Sequence, residues 1–149
     1  MRPTLPDKFH PNRFFDRIFI INLDRCPKRW NQVTDNLLRH GIVNFERQPG
    51  ISLPRHDPAD LLPFHYYQNL EAYGGRFKTD ANYILNCVGT NMAHQAIYKK
   101  AMERGYTRIL VLEDDVFLAP GALKSFRRAA HTLYSHPWHL AYLGYKRSR

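Results

Sequence analysis

Arg17-Ile18-Phe19-Ile20-Ile21-Asn22-Leu23-Asp24-Arg25-Cys26-Pro27-Lys28-Arg29 decides the fold. From Ile18 to Ile21 the stretch Arg17–Leu23 is continuously apolar and β-branched rather than alternating. That pattern predicts a strand covered on both faces, as in a parallel sheet. Asp24-Arg25-Cys26 makes a tight turn, and Pro27 suits a first helical position, where its missing N–H costs nothing. Trp30, Val33 and Leu37 recur at helical spacing until Gly41 stops the helix. Val43 to Arg47 forms a second short strand. Strand, helix, strand is a βαβ start, for which a right-handed crossover is expected.

Working outward, residues 48–81 carry Pro, Gly, His and Tyr without periodicity. They read as a long loop with one short helix near Leu61–Leu70, and loops of this length are usually functional or mobile. A helix is expected from Asn91 to Glu103, capped by Gly105. A strand follows from Tyr106 to Leu112, then a helix opened by Pro120 and running through Leu123, Phe126 and Leu133. A last strand is expected over Leu140–Leu143, ended by Gly144. Strands alternating with helices imply an α/β fold, with a mainly parallel sheet and flanking helices. The Pro-rich residues 1–16 read as an extended segment ahead of one domain over 17–149.

Composition narrows the classes. At 149 residues and 44% hydrophobic content, a sizeable core is affordable, burying roughly 68–70% of the unfolded surface. No apolar run reaches the ~18 residues of a membrane span. Met1 to Phe15 lacks the apolar centre of a secretory signal. Cys26 and Cys87 have neither disulfide-framework nor zinc spacing, which favours reduced thiols and a cytoplasmic setting. The formal charge of +9 favours anionic partners: nucleic acid, an anionic membrane face in peripheral association, or a phosphate-bearing substrate. No nucleic-acid-binding signature is present. The basic side chains are scattered rather than striped, so nucleic acid is not expected as a partner.

The sharpest chemical feature is Ile109-Leu110-Val111-Leu112 running into Glu113-Asp114-Asp115. Ligands of parallel sheets bind beyond the carboxyl ends of the strands. Three adjacent acids there repel one another, and a divalent cation relieves the repulsion. Hard oxygen donors suit Mn²⁺ or Mg²⁺. With alternating side chains, Glu113 and Asp115 share one side. Asp115 is the first candidate for the metal, Glu113 for metal or ribose, and Asp114 for orienting its neighbours. A solvated loop after a strand is the plain alternative. The turn after Asn22 is the second feature. It leads into a helix N-terminus, whose free N–H groups and dipole suit phosphate, with Arg25 and Arg29 as bidentate phosphate ligands. The alternative there is a capped helix with solvated basic residues. A third segment, Gly89-Thr90-Asn91-Met92-Ala93-His94, offers close backbone approach at Gly89, with Asn91 and His94 as candidate substrate contacts. A lone histidine at such a place is more commonly structural.

Four segments together resemble glycosyltransferase family 25, the lipopolysaccharide-biosynthesis and procollagen-galactosyltransferase group. IFIINLDRCPKRW resembles its opening strand and INLDR-x-x-x-R turn. FERQPGI, with Arg47, resembles its next strand. VGTNMAHQAIYKKAMERGYTRILVLEDDVFL resembles its Gly-Cys-x-x-Ser-His helix and EDD strand, and WHLAYLG a later segment. The family's Cys and Ser in the helix motif are Thr90 and Ala93 here. Family members normally continue well past the last segment, so the fold is expected to be incomplete at its C-terminus. The resemblance implies a GT-A-type (Rossmann-like) fold, a UDP-linked sugar donor, a Mn²⁺ or Mg²⁺ ion, and a glycan or protein acceptor. Residue by residue it implies donor contacts at Asn22, Asp24, Arg25 and Arg29, and metal or ribose contacts at Glu113 and Asp115. It names His94 as a site residue without a role, and no general base is assigned. The implied activity is hexose transfer to an acceptor hydroxyl; the rival reading is a catalytically silent nucleotide-binding module.

Overall fold

The computed structural model describes residues 9–53 and 81–143. Its elements run α1 (Pro11–Phe14), β1 (Arg17–Asn22), α2 (Pro27–Arg39), β2 (Phe45–Pro49), α3 (Ala81–Glu103), β3 (Ile109–Glu113) and α4 (Ala122–Ser135). The strands form one sheet of order β2-β1-β3. Both pairings are parallel, with Ile18 opposite Phe45 on one side and Leu110 on the other. This is an α/β layer structure with a parallel sheet flanked by helices, as the sequence implied.

The uninterrupted apolar run of β1 follows from its central place. Ile18 and Ile20 face a core containing Val33 and Leu37 of α2 and Ala130 of α4. Phe19 and Ile21 face Ala93 and Ile97 of α3 on the opposite side. Ile18, Phe19 and Ile20 are each 0% exposed, and burying such a side chain stabilises by about 1.5–3 kcal/mol at most. With β2 and β3 on opposite sides of β1, and α2 and α3 on opposite faces, the sheet is doubly wound. The chain reverses its winding between β1 and β3. The crevice beyond the carboxyl ends of those two strands is therefore the topological switch point, where ligands of such sheets bind.

Two glycines end helices as expected. Gly41 (φ +69°) and Gly105 (φ +66°) adopt left-handed backbone. In each case the next residue's N–H returns to the third-last helical carbonyl: Ile42 to Leu37 at 3.0 Å and Tyr106 to Ala101 at 2.9 Å. This is the Schellman closure.

Strands β2 and β3 run over Phe45–Pro49 and Ile109–Glu113 rather than the expected Val43–Arg47 and Tyr106–Leu112, and the structure differs from expectation in four further places. The segment before β1 is not extended throughout: the His10 side chain caps the Asn12 N–H, Pro11 opens the single turn of α1, and Phe9, Phe14 and Phe15 are buried in the core. Helix α3 begins at Ala81, ten residues ahead of Asn91, so Gly89 lies inside it. Helix α4 starts at Ala122 behind a left-handed Gly121 rather than at Pro120. Leu140–Leu143 forms no strand, and Leu140, Tyr142 and Leu143 are exposed; without a paired neighbour a strand has no ladder to join. The short helix expected near Leu61–Leu70 lies outside the described residues.

Candidate functional site

Asn22 ends β1 at the switch point, 2% exposed. Its carboxamide has no spare hydrogen. Nδ2 donates to Asp114 Oδ2 at 2.7 Å and to the Cys26 carbonyl at 3.0 Å. Oδ1 accepts from Arg47 Nε at 2.9 Å. One amide thus ties together the strand end, the turn into α2, β2 and the acidic turn after β3. Saturation of this kind is what a buried polar side chain requires.

Arg47 reaches this point because β2 is parallel to β1 and places it opposite Ile20. Its Nη2 donates to the Asn22 carbonyl at 3.0 Å and to Asp24 Oδ1 at 2.6 Å. Asp24 is otherwise open to solvent. From the α2 side, Arg29 Nη1 donates to Asp114 Oδ1 at 3.3 Å. The arginine side chain is 57% exposed and the aspartate 11%. Asp114 is therefore the anchored member, with both oxygens engaged, while the remaining guanidinium donors of Arg29 face water. The bond to Asp114, then that carboxylate's charge, raises the pKa of Arg29 further above its ordinary value. Arg25 turns the other way, with Nη1 donating to Ser52 Oγ at 2.7 Å. Helix α2 opens with Cys26 at its N-cap and no side-chain cap, so its first-turn N–H groups are left without a side-chain acceptor.

The acidic segment is a turn, not an extended strand end: Val116 N–H returns to the Glu113 carbonyl at 3.2 Å. Asp114 points inward and Glu113 and Asp115 are exposed. Among the described residues, no three His, Cys, Asp or Glu side chains are grouped as a metal cage. A complete cage is not what Mg²⁺ or Mn²⁺ demands, since one or two carboxylates with phosphate and water suffice. Glu113 and Asp115 fit that donor set, whereas Asp114 is already committed to Asn22 and Arg29.

The structure thus brings Asn22, Arg29 and Asp114 into direct contact and draws in Asp24 through Arg47. Arg25 stands by the Ser52 segment. Asn91 is exposed on α3, and His94 Nδ1 lies 3.4 Å from Tyr98 Oη one turn along the same helix. Among the described residues neither hydrogen-bonds to the Asn22 network. Arg47 is the residue missing from the sequence-derived set. Its signal was an arginine within a short strand next to the apolar β1, where a cation has to find a partner at the strand end.

Gly89 contributes indirectly. A Cβ there would collide with the Ile51 carbonyl, so the glycine lets the segment carrying Ser52 lie against α3. Next to the acidic turn, a cleft of about 420 Å³ runs along α2. No helix among the described residues is long and apolar enough to cross a membrane.

Comparison with known proteins identifies relatives of the chain. The chain is 30% identical to the probable inactive glycosyltransferase 25 family member 3 of Rattus norvegicus, over 95% of its own length and 24% of the relative's. It is 30% identical to the inactive glycosyltransferase 25 family member 3 of Homo sapiens, over 96% of its length and 24% of the relative's. It therefore spans about a quarter of the length of these relatives. A sequence model of glycosyltransferase family 25 (LPS biosynthesis protein) matches residues 15–147, which cover the sheet, its flanking helices and the switch-point network, and the chain belongs to that family.

Proposed function

We propose that this chain carries the donor-binding part of a metal-assisted hexosyltransferase that takes a UDP-linked sugar to a glycan or protein hydroxyl. The observation that carries the reading is the 3.3 Å contact between Arg29 and Asp114. It joins the phosphate-suited turn after β1 to the acidic turn after β3 in one crevice, at the switch point of a doubly wound sheet. The uncapped start of α2 and the free donors of Arg29 are suited to a pyrophosphate. Glu113 and Asp115 would hold Mn²⁺ or Mg²⁺, whose Lewis acidity offsets negative charge on a departing diphosphate. Arg29 adds positive charge at the same place, fixed in advance by Asp114. Arg47 and Asn22 fix the acidic turn and touch no reacting atom.

Calorimetric titration of UDP with and without Mn²⁺ tests the reading. Wild type is expected to bind more tightly with Mn²⁺, and Asp115→Ala to remove that increment. Equal affinity of the two proteins would reject the metal assignment.

A binding-only role is the second reading. The Homo sapiens relative is named inactive and the Rattus norvegicus relative probable inactive, and a carboxylate of the acidic turn is spent on Asn22 and Arg29. Retained UDP binding without turnover of UDP-hexose, in the presence of acceptor hydroxyls, would select it over transfer.

A further inference from the structure

We propose that the basic cluster of Arg17, Lys100 and Arg104 around Glu46 is an anion-binding site for a phosphomonoester group, separate from the donor crevice. Strand register assembles it. Phe19 faces α3, and side-chain alternation puts Arg17 on the same face of β1. Glu46 of β2 stands beside Phe19. Lys100 and Arg104, one turn apart at the end of α3, reach the Glu46 carboxylate at 3.3 and 2.8 Å, and Arg17 Nε stands 3.6 Å from it. The cluster shares no residue with the Asn22–Arg29–Asp114 crevice, so neither reading depends on the other.

Charge identifies the ligand class. Three cations share one carboxylate, an excess of two positive charges. Neighbouring carboxylates are engaged elsewhere. Asp16 accepts from the N–H groups of Thr107 and Arg108, and Glu103 pairs with Lys99 along the helix at 4.0 Å. A phosphomonoester carries about −1.5 to −2 at pH 7, which matches the excess. A single carboxylate would leave one cation unbalanced. Guanidinium and ammonium groups together are also the usual donors to phosphate oxygens.

The donors are not all satisfied either. Arg17 Nε is buried without a hydrogen-bond partner among the described residues, since Glu46 at 3.6 Å lies beyond bonding distance. Lys100 Nζ donates to Glu46 and to Gln48 Oε1 at 3.0 Å, which leaves one ammonium hydrogen over. Arg104, its side chain 44% exposed, gives Glu46 a single bond rather than a fork. The Tyr106 oxygen accepts from Arg17 and Arg104, and these bonds hold the phenol below its ordinary pKa. A phenol so held is a stronger O–H donor to an oxyanion. Cations at the end of α3 also oppose its dipole. That accounts for their sign but not for their direction: both side chains turn to β2, and Arg17 belongs to another element.

Amide chemical shifts of the ¹⁵N-labelled chain, titrated with inorganic phosphate, a hexose monophosphate and acetate at constant ionic strength, test the proposal. Phosphate is expected to move the amides of Arg17, Glu46, Arg104 and Tyr106 saturably, and acetate to bind several-fold more weakly. Tighter binding of the hexose monophosphate than of phosphate would mark the ligand as a phosphorylated saccharide. Equal affinity would mark a site that reads the phosphoryl group alone. Arg104→Gln is expected to weaken phosphate binding several-fold. Glu46→Gln is expected to strengthen it several-fold, because the resident carboxylate no longer competes for the cations. A purely structural cluster would not respond in these opposite directions. Shifts confined to Lys28 and Arg29, acetate binding as tight as phosphate, or a titration unchanged in both variants overturns the proposal.

Discussion

Asn22 Nδ2 and Asp114 Oδ2 lie 2.7 Å apart, although 92 positions separate the two residues in the chain. The contact exists because β1 and β3 are neighbours in register, Ile21 opposite Glu113, and both strands end at the same level. Asn22→Ala would leave Asp114, the Cys26 carbonyl and Arg47 Nε without their partner. Each buried polar group so orphaned costs about 1–3 kcal/mol, so a large fall in urea midpoint is expected. Asn22→Asp is nearly isosteric but sets one carboxylate against another. Two carboxylates at that distance raise a pKa. A raised folded value gives stability present at low pH and lost as pH rises through it. The expected result is a deficit relative to wild type that is larger at pH 8 than at pH 5, read from parallel urea titrations. A pH-independent deficit would show that Arg47 neutralises the added charge.

How much of this was legible in the sequence depends on where each signal resides. β1, α2 and β3 are readable because their patterns are local: a continuous apolar run, residues at helical spacing with a glycine stop, and a second apolar run. The acidic turn and the arginine turn were legible as chemistry for the same reason. Helix α3 was half missed because its early part has no one-sided apolar stripe and Gly89 interrupts it. That glycine answers to the Ile51 carbonyl across the fold, which no local pattern reveals. The buried Phe9, Phe14 and Phe15 were hidden among prolines that suggested an extended segment. Arg47, named only within the FERQPGI segment, was given no site role, since its partners Asn22 and Asp24 become visible only when β2 is placed in parallel register beside β1. Alternation set Asp114 apart from Glu113 and Asp115, as their exposure shows, but the cause is the turn at Val116 and the hydrogen bonds to Asn22 and Arg29 rather than an extended backbone.

Gly89→Ala sets two effects of opposite sign against each other. Helix propensity favours alanine over glycine by about 1 kcal/mol in a helix interior. Against this, the new Cβ would overlap the Ile51 carbonyl oxygen, a backbone atom that cannot rotate away. Either α3 or the Gly50–Ser52 segment has to move, which also disturbs the bond from Arg25 to Ser52 Oγ. The clash is expected to win, lowering Tm by several degrees. Ala introduced at exposed Gln95 of the same helix serves as the control and should leave Tm within about a degree, as surface substitutions usually do. A Tm for Gly89→Ala above wild type would show that the contact relaxes without cost.

Asp16 links the approach to β1 with the approach to β3. Its Oδ2 accepts from Thr107 N–H at 2.6 Å, Thr107 Oγ1 at 2.9 Å and Arg108 N–H at 2.8 Å. Burial pushes its carboxyl up, but the bonds from Arg108 and Thr107 and the charge of Arg108 outweigh it, and the pKa falls below the ordinary value. A depressed folded pKa gives stability that is complete above the unfolded value, about 3.9, and is lost as pH falls through the folded one. Wild type should therefore lose this contribution only below about pH 4. Asp16→Asn should lower Tm at pH 7 and show a smaller loss between pH 5 and pH 3. Parallel Tm-against-pH curves for the two proteins would reject the linkage.

Glu46 carries the ion pairing at the opposite end of the sheet from the site. Its carboxylate meets Arg104 Nη1 at 2.8 Å, Lys100 Nζ at 3.3 Å and Arg17 Nε at 3.6 Å. Three cations converge on one anion, so the cluster keeps a positive excess even when intact. Glu46→Gln removes the only carboxylate that pairs with all three among the described residues and leaves three like charges facing one another. Individual partly exposed pairs contribute little, of the order of 1 kcal/mol or less, but the variant adds repulsion to the loss of attraction. Salt should discriminate between the two contributions. Repulsion among solvated charges is screened once the Debye length drops to about 3 Å in 1 M salt. The Tm deficit of Glu46→Gln is therefore expected to narrow as NaCl rises from low concentration towards 1 M. A deficit that stays constant across that range would mean that lost packing of the side chain, rather than unbalanced charge, is what the substitution removes.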